Sequence, residues 1–296
     1  MTNLILESSY AKRSFKKRIG NANHLLITIL VGLDEIESGN VVKSPSFSTS
    51  WNPKNPVVSA KRSSRFALNS ALSWAIDNLD AYFIISHQKP TIIEGEDLSN
   101  AISGAGQSVS LKLDTFNRFL SRANKPDEDK YAAMVALGIQ WRNNTTHFDA
   151  ANKLEKPYIS VLKDKRNKQW FMDTFQGLDI AESLKRFNKG ESPSFKEVTA
   201  IIRAIHVFVS MLDDYLLSSV DVERLAKEII QKHYSNKKTR KGHVLAYGIE
   251  RKVSLVKMIL QSNGFSETNE KYNNRIFVLN GENAEECLRQ AIVKPK

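Results

Sequence analysis

An arginine and a histidine stand five positions apart at the end of an apolar segment, in the run Arg142-Asn-Asn-Thr-Thr-His147. Histidine, with an ordinary pKa of about 6.5, can take or give a proton near neutral pH. The arginine guanidinium offers a planar fork of donors that matches two phosphate oxygens, and Asn143 can hydrogen-bond the imidazole or the phosphate. These groups suffice to cleave RNA without a metal or cofactor, because the ribose 2′-OH is an internal nucleophile. In-line attack would leave a 2′,3′-cyclic phosphate and a 5′-OH.

The spacing sets a geometric condition on this chemistry. Five residues along an unbroken helix rotate a side chain by about 140°, so Arg142 and His147 would not converge on one phosphate. Residues 143–146 are poor helix formers, because their side chains compete for backbone hydrogen bonds, and we expect them to interrupt the helix. Either this distortion brings the pair together, or residues from two chains combine.

The Arg142–His147 spacing resembles the R-x4-6-H motif of the HEPN superfamily, in which a polar residue such as Asn143 commonly follows the arginine. The resemblance implies an up-and-down bundle of four or five antiparallel helices over most of residues 20–220. It also implies ribonuclease activity and a homodimer with two motifs at its interface. Superfamily toxins that are silenced by modification of a tyrosine carry R-x4-H-x-Y. Here Asp149 occupies that tyrosine position, so this form of regulation is not expected.

The same resemblance implies a supporting acidic residue on an earlier helix. Asp77 and Asp80 are the candidates, and both lie on a polar stripe beside the apolar face of the helix predicted over residues 60–87. The stripe consists of Arg65, Asn69, Ser73, Asp77 and Asp80. It is either a solvated helix face or one wall of a polar cleft.

Apolar residues at helical spacing predict a mainly α fold. The long helices are expected at residues 23–37, 60–87, 111–122, 128–142 and 195–217. After residue 220 the segments shorten, with helices expected at 222–233, 244–261 and 282–292 and a strand at 275–279. The predicted domains are a basic N-terminal arm (1–20), a HEPN-like helical bundle (21–220) and a basic C-terminal domain (221–296) of α+β or winged-helix-like type.

Composition excludes several classes of protein. With 41% hydrophobic residues, 13 Gly and 8 Pro among 296 residues, the chain is neither disordered nor collagen-like. Its lone cysteine, Cys287, excludes an intramolecular disulfide. The most apolar run, residues 25–33, is about half of the ~20 residues that a membrane span needs. We therefore expect a soluble cytoplasmic protein that does not bind membranes.

The net charge of +11 is unevenly distributed. Residues 1–20 hold five basic residues and one acidic residue, and residues 221–263 hold ten basic and four acidic residues, whereas residues 21–220 are almost neutral. Such basic segments favour a polyanionic partner, here RNA. The expected nucleic-acid-binding residues are Lys237, Lys238, Arg240 and Lys241.

Together these features predict a metal-independent endoribonuclease, with the role of a toxin or a phage-defence effector. Arg142 would bind the scissile phosphate, His147 would act as general acid or base, and Asn143 would orient one of them. An inhibitory antitoxin or another regulatory partner is a further expectation. The alternatives are a non-catalytic nucleic-acid-binding or regulatory protein, and a HEPN scaffold that binds a partner protein or a nucleotide.

Overall fold

A computed structural model describes residues 1–41, 44, 46, 53–146, 153–235, 241–270 and 273–292. Most of these residues are helical, and one small antiparallel sheet accompanies the helices, so the prediction of a mainly α fold is confirmed. The helices are α1 (Tyr10–Ile19), α2 (Ala22–Glu37), α3 (Pro56–His87), α4 (Glu96–Gly104), α5 (Val109–Leu120), α6 (Glu128–Thr146), α7 (Lys156–Lys163), α8 (Lys168–Thr174), α9 (Ile180–Asn188), α10 (Phe195–Ser219), α11 (Val222–Ser235), α12 (Lys241–Leu245), α13 (Ile249–Ser262) and α14 (Gly281–Ile292). Two 3₁₀ turns cover Ser121–Ala123 and Lys165–Asn167.

The sheet pairs a strand near residue 1 with two strands between residues 265 and 279. Its strands are β1 (Thr2–Leu6), β2 (Phe265–Thr268) and β3 (Ile276–Leu279), in the order β2-β1-β3 with both pairings antiparallel. The predicted strand at 275–279 is confirmed, whereas β1 falls in the segment interpreted as a basic arm. Leu4 and Leu6 are buried and alternate with more exposed neighbours, as expected for a strand with one covered face.

The chain forms two compact units. The sheet-containing unit consists of Met1–Lys17, Asp80–Lys125 and Val209–Lys296, and the all-helical unit consists of Arg18–Leu79 and Pro126–Phe208. The boundary between the units falls within α3, after Leu79, and within α10, after Phe208.

In the all-helical unit, α6 and α10 approach closely at a glycine. A Cβ atom on Gly138 would lie 2.4 Å from Cγ2 of Ile201, so no larger residue fits there without a shift. Every residue from Ala132 to Trp141 is buried, which makes α6 a core helix. Its partner α10 begins with a capping box, in which the Ser194 backbone N–H donates to Glu197 Oε2 at 2.6 Å.

The prediction that residues 143–146 interrupt the helix is wrong, because α6 continues to Thr146. Helix propensity disfavours Asn and Thr by only about 0.5 kcal/mol per residue, which is small beside the burial of the preceding ten residues. Thr145 also satisfies its hydroxyl inside the helix by donating to the Arg142 carbonyl oxygen at 2.8 Å. Arg142 therefore lies within a regular helix and not at its end.

In the sheet-containing unit, a buried carboxylate fixes the start of α1. Asp213 of α10 accepts hydrogen bonds from the Ser9 backbone N–H (3.2 Å), the Ser9 hydroxyl and the Tyr82 hydroxyl (3.3 Å). Burial raises the pKa of Asp213 above its ordinary value, although these bonds act in the opposite direction. No helix among the described residues is both long and apolar enough to cross a membrane.

Candidate functional site

The candidate site is built on the last turns of α6. Trp141, buried directly before Arg142, donates from its indole Nε1 to the Glu191 carbonyl oxygen at 2.8 Å. Its ring packs edge-to-face on Phe187, with 5.8 Å between the ring centroids. These contacts fix the position and rotation of α6 next to Arg142.

Arg142 reaches a carboxylate of α3. Its Nη2 lies 3.7 Å from Oδ1 of Asp77, and the Arg142 side chain is 17% exposed whereas that of Asp77 is 68% exposed. The distance is too long for a direct hydrogen bond, which needs about 2.7–3.2 Å, so Asp77 acts as a counter-charge at this position. The arrangement leaves a mostly buried guanidinium beside an open, solvated carboxylate.

The other motif residues are placed in part. Asn143 is half-buried on α6, about 100° around the helix from Arg142. His147 lies just beyond Thr146 in sequence and outside the described residues. The structure therefore brings Arg142, Asn143 and Asp77 to one region of the all-helical unit.

Asp80, the second candidate for a supporting acid, has a different partner. Its Oδ1 accepts from Nζ of Lys112 on α5 at 2.7 Å, and Lys112 is almost fully buried. This pair belongs to the sheet-containing unit. A buried lysine needs a counter-charge, so Asp80 serves Lys112, whereas Asp77 pairs with Arg142.

The remaining stripe residues on α3 contribute polar groups to the all-helical unit. Asn69 and Ser73 are half-buried and Arg65 is exposed. The Asn69 Oδ1 atom is buried without a hydrogen-bond partner among the described residues. The stripe is therefore partly buried at Asn69 and Ser73 and solvated at Arg65 and Asp77.

The expected nucleic-acid-binding cluster lies mostly outside the described residues, which exclude Lys237, Lys238 and Arg240. Lys241 begins α12, and the three residues 246–248 connect α12 to α13. On α13, Lys257 pairs with Glu267 at 2.8 Å.

One cation of α13 is held differently. The Arg251 guanidinium stacks over the Tyr247 ring, 3.9 Å from its centroid, and remains exposed. Sequence analysis did not single out this arginine, because the signal is its aromatic partner four residues earlier.

Two other reactive groups, Cys287 and Asp213, are buried. Burial raises the pKa of the Cys287 thiol to about 11, which removes the thiolate at neutral pH. Asp213 is enclosed by Ser9 and Tyr82 and serves the fold. In the described part of the chain, no group of three or more His, Cys, Asp or Glu side chains could hold a metal ion.

Comparison of the chain with family models, with curated proteins and with solved structures finds no match.

Proposed function

We propose that this protein is a metal-independent endoribonuclease of HEPN type. Arg142 binds the scissile phosphate, and His147 transfers a proton to or from the reacting oxygens. Asn143 orients the His147 imidazole or the phosphate. Asp77 holds the Arg142 side chain in position. The products are a 2′,3′-cyclic phosphate and a 5′-OH.

The observation that carries this proposal is the Arg142–Asp77 pair. Asp77 is 68% exposed and lies 3.7 Å from Nη2 of Arg142, so a phosphate that approaches through solvent at Asp77 comes within range of the guanidinium donors. The carboxylate comes from an earlier helix, as the resemblance to the HEPN superfamily implies.

The regular helix through Thr146 favours a site that is completed by a second chain. In-line cleavage needs one group to remove the 2′-OH proton and another to protonate the 5′-oxygen. Since α6 is unbroken for four residues after Arg142, the motif of one copy is poorly arranged to supply both groups. We therefore propose a homodimer in which each copy contributes to a shared site.

The basic segment around Lys237, Lys238, Arg240 and Lys241 is proposed to hold the RNA backbone. In this proposal the positive charge of residues 221–263 binds the RNA backbone, and the nearly neutral residues 21–220 carry the cleavage site. A toxin or phage-defence role, restrained by an antitoxin or another regulatory partner, would follow from such an activity.

The test is RNA cleavage by the purified protein in the presence of EDTA, with the product ends identified by mass. We expect cleavage to fall about 10²–10³-fold for Arg142→Ala and about 10²–10⁴-fold for His147→Ala.

The matched control is Arg203→Ala, which changes an exposed arginine on α10 and should cleave normally. Arg142→Lys, which keeps the charge and loses the fork, guards against a folding defect. Normal cleavage by both Arg142→Ala and His147→Ala would overturn the assignment.

A second candidate function is nucleic-acid binding without catalysis. It is favoured by the α12–turn–α13 arrangement beside the three-stranded sheet, which has the elements of a winged helix-turn-helix. Tight binding of duplex DNA, together with no cleavage of any RNA by the wild-type protein, would favour this candidate over the ribonuclease.

A further inference from the structure

The sheet-containing unit holds a pocket of about 350 Å³, lined by the start of α1, the end of α3 with the segment that follows it, and α11. Every residue that lines the pocket belongs to this one unit. Sites for small molecules in proteins have volumes of about 300–1,000 Å³, so the pocket is large enough for one compact ligand. None of Arg142, Asn143 and Asp77 lines it.

The most buried part of the pocket wall is apolar. Its side chains are at most 5% exposed and come from Leu6, Ala11, Ile92, Leu225 and Ile229. Two serines lie among them, and both hydroxyls are already engaged. Ser86 donates to the Tyr82 carbonyl oxygen at 2.8 Å, and Ser9 donates to the carboxylate of Asp213. This part of the wall therefore suits the apolar body of a ligand better than a polar group, which would lose its hydrogen bonds to water there.

The exposed part of the wall carries positive charge and aromatic rings. Lys232 is exposed, and its ammonium group donates to the Lys89 carbonyl oxygen at 3.2 Å. An ammonium group has three donors, so it can also bind an anion. The His233 ring is half-buried, and Tyr10 is 51% exposed.

Carboxylates do not oppose this charge at the pocket surface. No Asp or Glu is among the described residues that line the pocket. Asp213, which accepts from the lining residue Ser9, is fully buried and is not part of the wall. The pocket thus combines an apolar interior with a cationic mouth at Lys232.

We propose that this pocket binds a small organic anion with a planar apolar body and a single carboxylate, sulfonate or phosphate group. The anionic group stays at the mouth, because burial of an unpaired charge is costly, and it accepts a charge-assisted hydrogen bond from Lys232. The Tyr10 and His233 rings favour a planar body, because aromatic groups stack or pack edge-to-face. A neutral apolar ligand, or an apolar side chain of a partner protein, would gain nothing from Lys232.

The first experiment uses two fluorescent probes that differ by one charge. Anilinonaphthalene sulfonate (ANS) is an aromatic anion, and N-phenylnaphthylamine has the same rings without the sulfonate. Each is titrated into the folded full chain with direct excitation of the probe. Lys232→Gln should weaken ANS binding about fivefold, as much as an exposed ion pair can supply, and should leave binding of the neutral probe unchanged. The matched control is Lys16→Gln, which changes an exposed lysine of α1 outside the lining and should bind both probes normally.

A second pair of variants locates the probes in the pocket. Ile85 is half-buried and lines the pocket, so Ile85→Trp places a larger side chain in its volume. We expect this variant to bind both probes at least about tenfold more weakly, because overpacking a filled site is costly. Ile84→Trp changes the exposed neighbour outside the lining and should bind both probes normally. Thermal unfolding shows whether the variants are folded, and Lys232→Gln, at an exposed position, keeps the test valid if Ile85→Trp is not.

Two results would overturn the proposal. Unchanged binding of both probes to folded Ile85→Trp would show that they bind elsewhere on the protein. Equal losses of the two probes with Lys232→Gln, or no loss of either, would exclude recognition of an anion at this mouth. The ribonuclease proposal fails separately, because it concerns RNA cleavage and Arg142→Ala, whereas the pocket is tested without RNA.

Discussion

Two carboxylates three residues apart on α3 are held by different cations. Asp77, largely exposed, stands 3.7 Å from Arg142, whereas Asp80 makes a 2.7 Å contact with the buried Lys112. Solvent around the exposed Asp77 screens its pair with Arg142, so this pair contributes at most about 1 kcal/mol to stability, whereas removal of the partner of the almost fully buried Lys112 costs considerably more. Asp77 can therefore take part in the candidate site at little cost in stability, whereas Asp80 stabilises the fold through Lys112.

This difference predicts opposite results for two isosteric substitutions. Asp77→Asn should lower RNA cleavage about tenfold, because Arg142 loses the charge that orients it, while the thermal unfolding midpoint stays unchanged. Asp80→Asn should lower the free energy of unfolding by about 1–3 kcal/mol and leave cleavage per folded molecule unchanged. Cleavage kinetics and thermal denaturation of both variants provide the measurement. Loss of stability with Asp77→Asn and none with Asp80→Asn would contradict this division of roles.

The candidate site could be predicted in part from residue types. Arg142, Asn143 and the two acidic candidates follow from the motif and the polar stripe. The choice between Asp77 and Asp80 could not be made from spacing, because their positions on α3 differ by less than one turn. That choice depends on Lys112 and Arg142, which lie far away in sequence and meet α3 only in the folded chain.

At the scale of elements, the position of Arg142 depends on the contact between α6 and α10. Gly138 lies one turn before Arg142, and its missing side chain allows Ile201 of α10 to fit against the α6 backbone. A glycine inside a helix costs about 1 kcal/mol relative to alanine. Its presence in the middle of α6 is therefore explained by packing.

Gly138→Ala should destabilise the protein in spite of the better helix propensity of alanine. The new Cβ would lie 2.4 Å from Ile201 Cγ2, and such overpacking costs about 1–3 kcal/mol. Ile201→Ala removes that methyl group, so the double variant should lose less stability than the two single variants added together. Gly104→Ala, with no atom within 4 Å of the Cβ position on α4, is the control and should not destabilise. Equal midpoints of urea unfolding for Gly138→Ala and wild type would show that the helices can separate freely.

Helices could be predicted well from the sequence, and the exceptions have identifiable causes. Apolar periodicity located α3, α5 and α10, because each has its own pattern of buried positions, and it also located α2, in which only Ala22 and Leu26 are buried. The same reasoning ended α6 too early, since local propensity at residues 143–146 is outweighed by burial of the preceding turns. It missed β1, because this strand is defined by pairing with residues more than 250 positions away.

At the scale of the whole molecule, the distribution of charge could be predicted by counting alone. Residues 221–263 carry ten basic and four acidic residues, and residues 21–220 are nearly neutral. Some of the basic residues are already engaged, as Lys257 is by Glu267 and Lys227 is by Glu286. Fewer cations are therefore available to bind a polyanion than the ten basic residues of this segment suggest. We expect the cluster at residues 237–241 to contribute most of the binding.

Replacing Lys237, Lys238, Arg240 and Lys241 by Gln should weaken RNA binding and make it less sensitive to salt. Each phosphate contact that is lost reduces the slope of log affinity against log salt by about 0.7 for a single strand, so four contacts would reduce it by about 3. Cleavage at saturating RNA should remain unchanged, because Arg142 and His147 are untouched. The measurement is fluorescence anisotropy with labelled single-stranded RNA at several salt concentrations. The control replaces four exposed lysines of the all-helical unit by Gln: Lys153, Lys163, Lys165 and Lys168. Since both variants remove four positive charges, an equal fall in slope would mean that net charge governs binding, and the cluster would lose its assigned role.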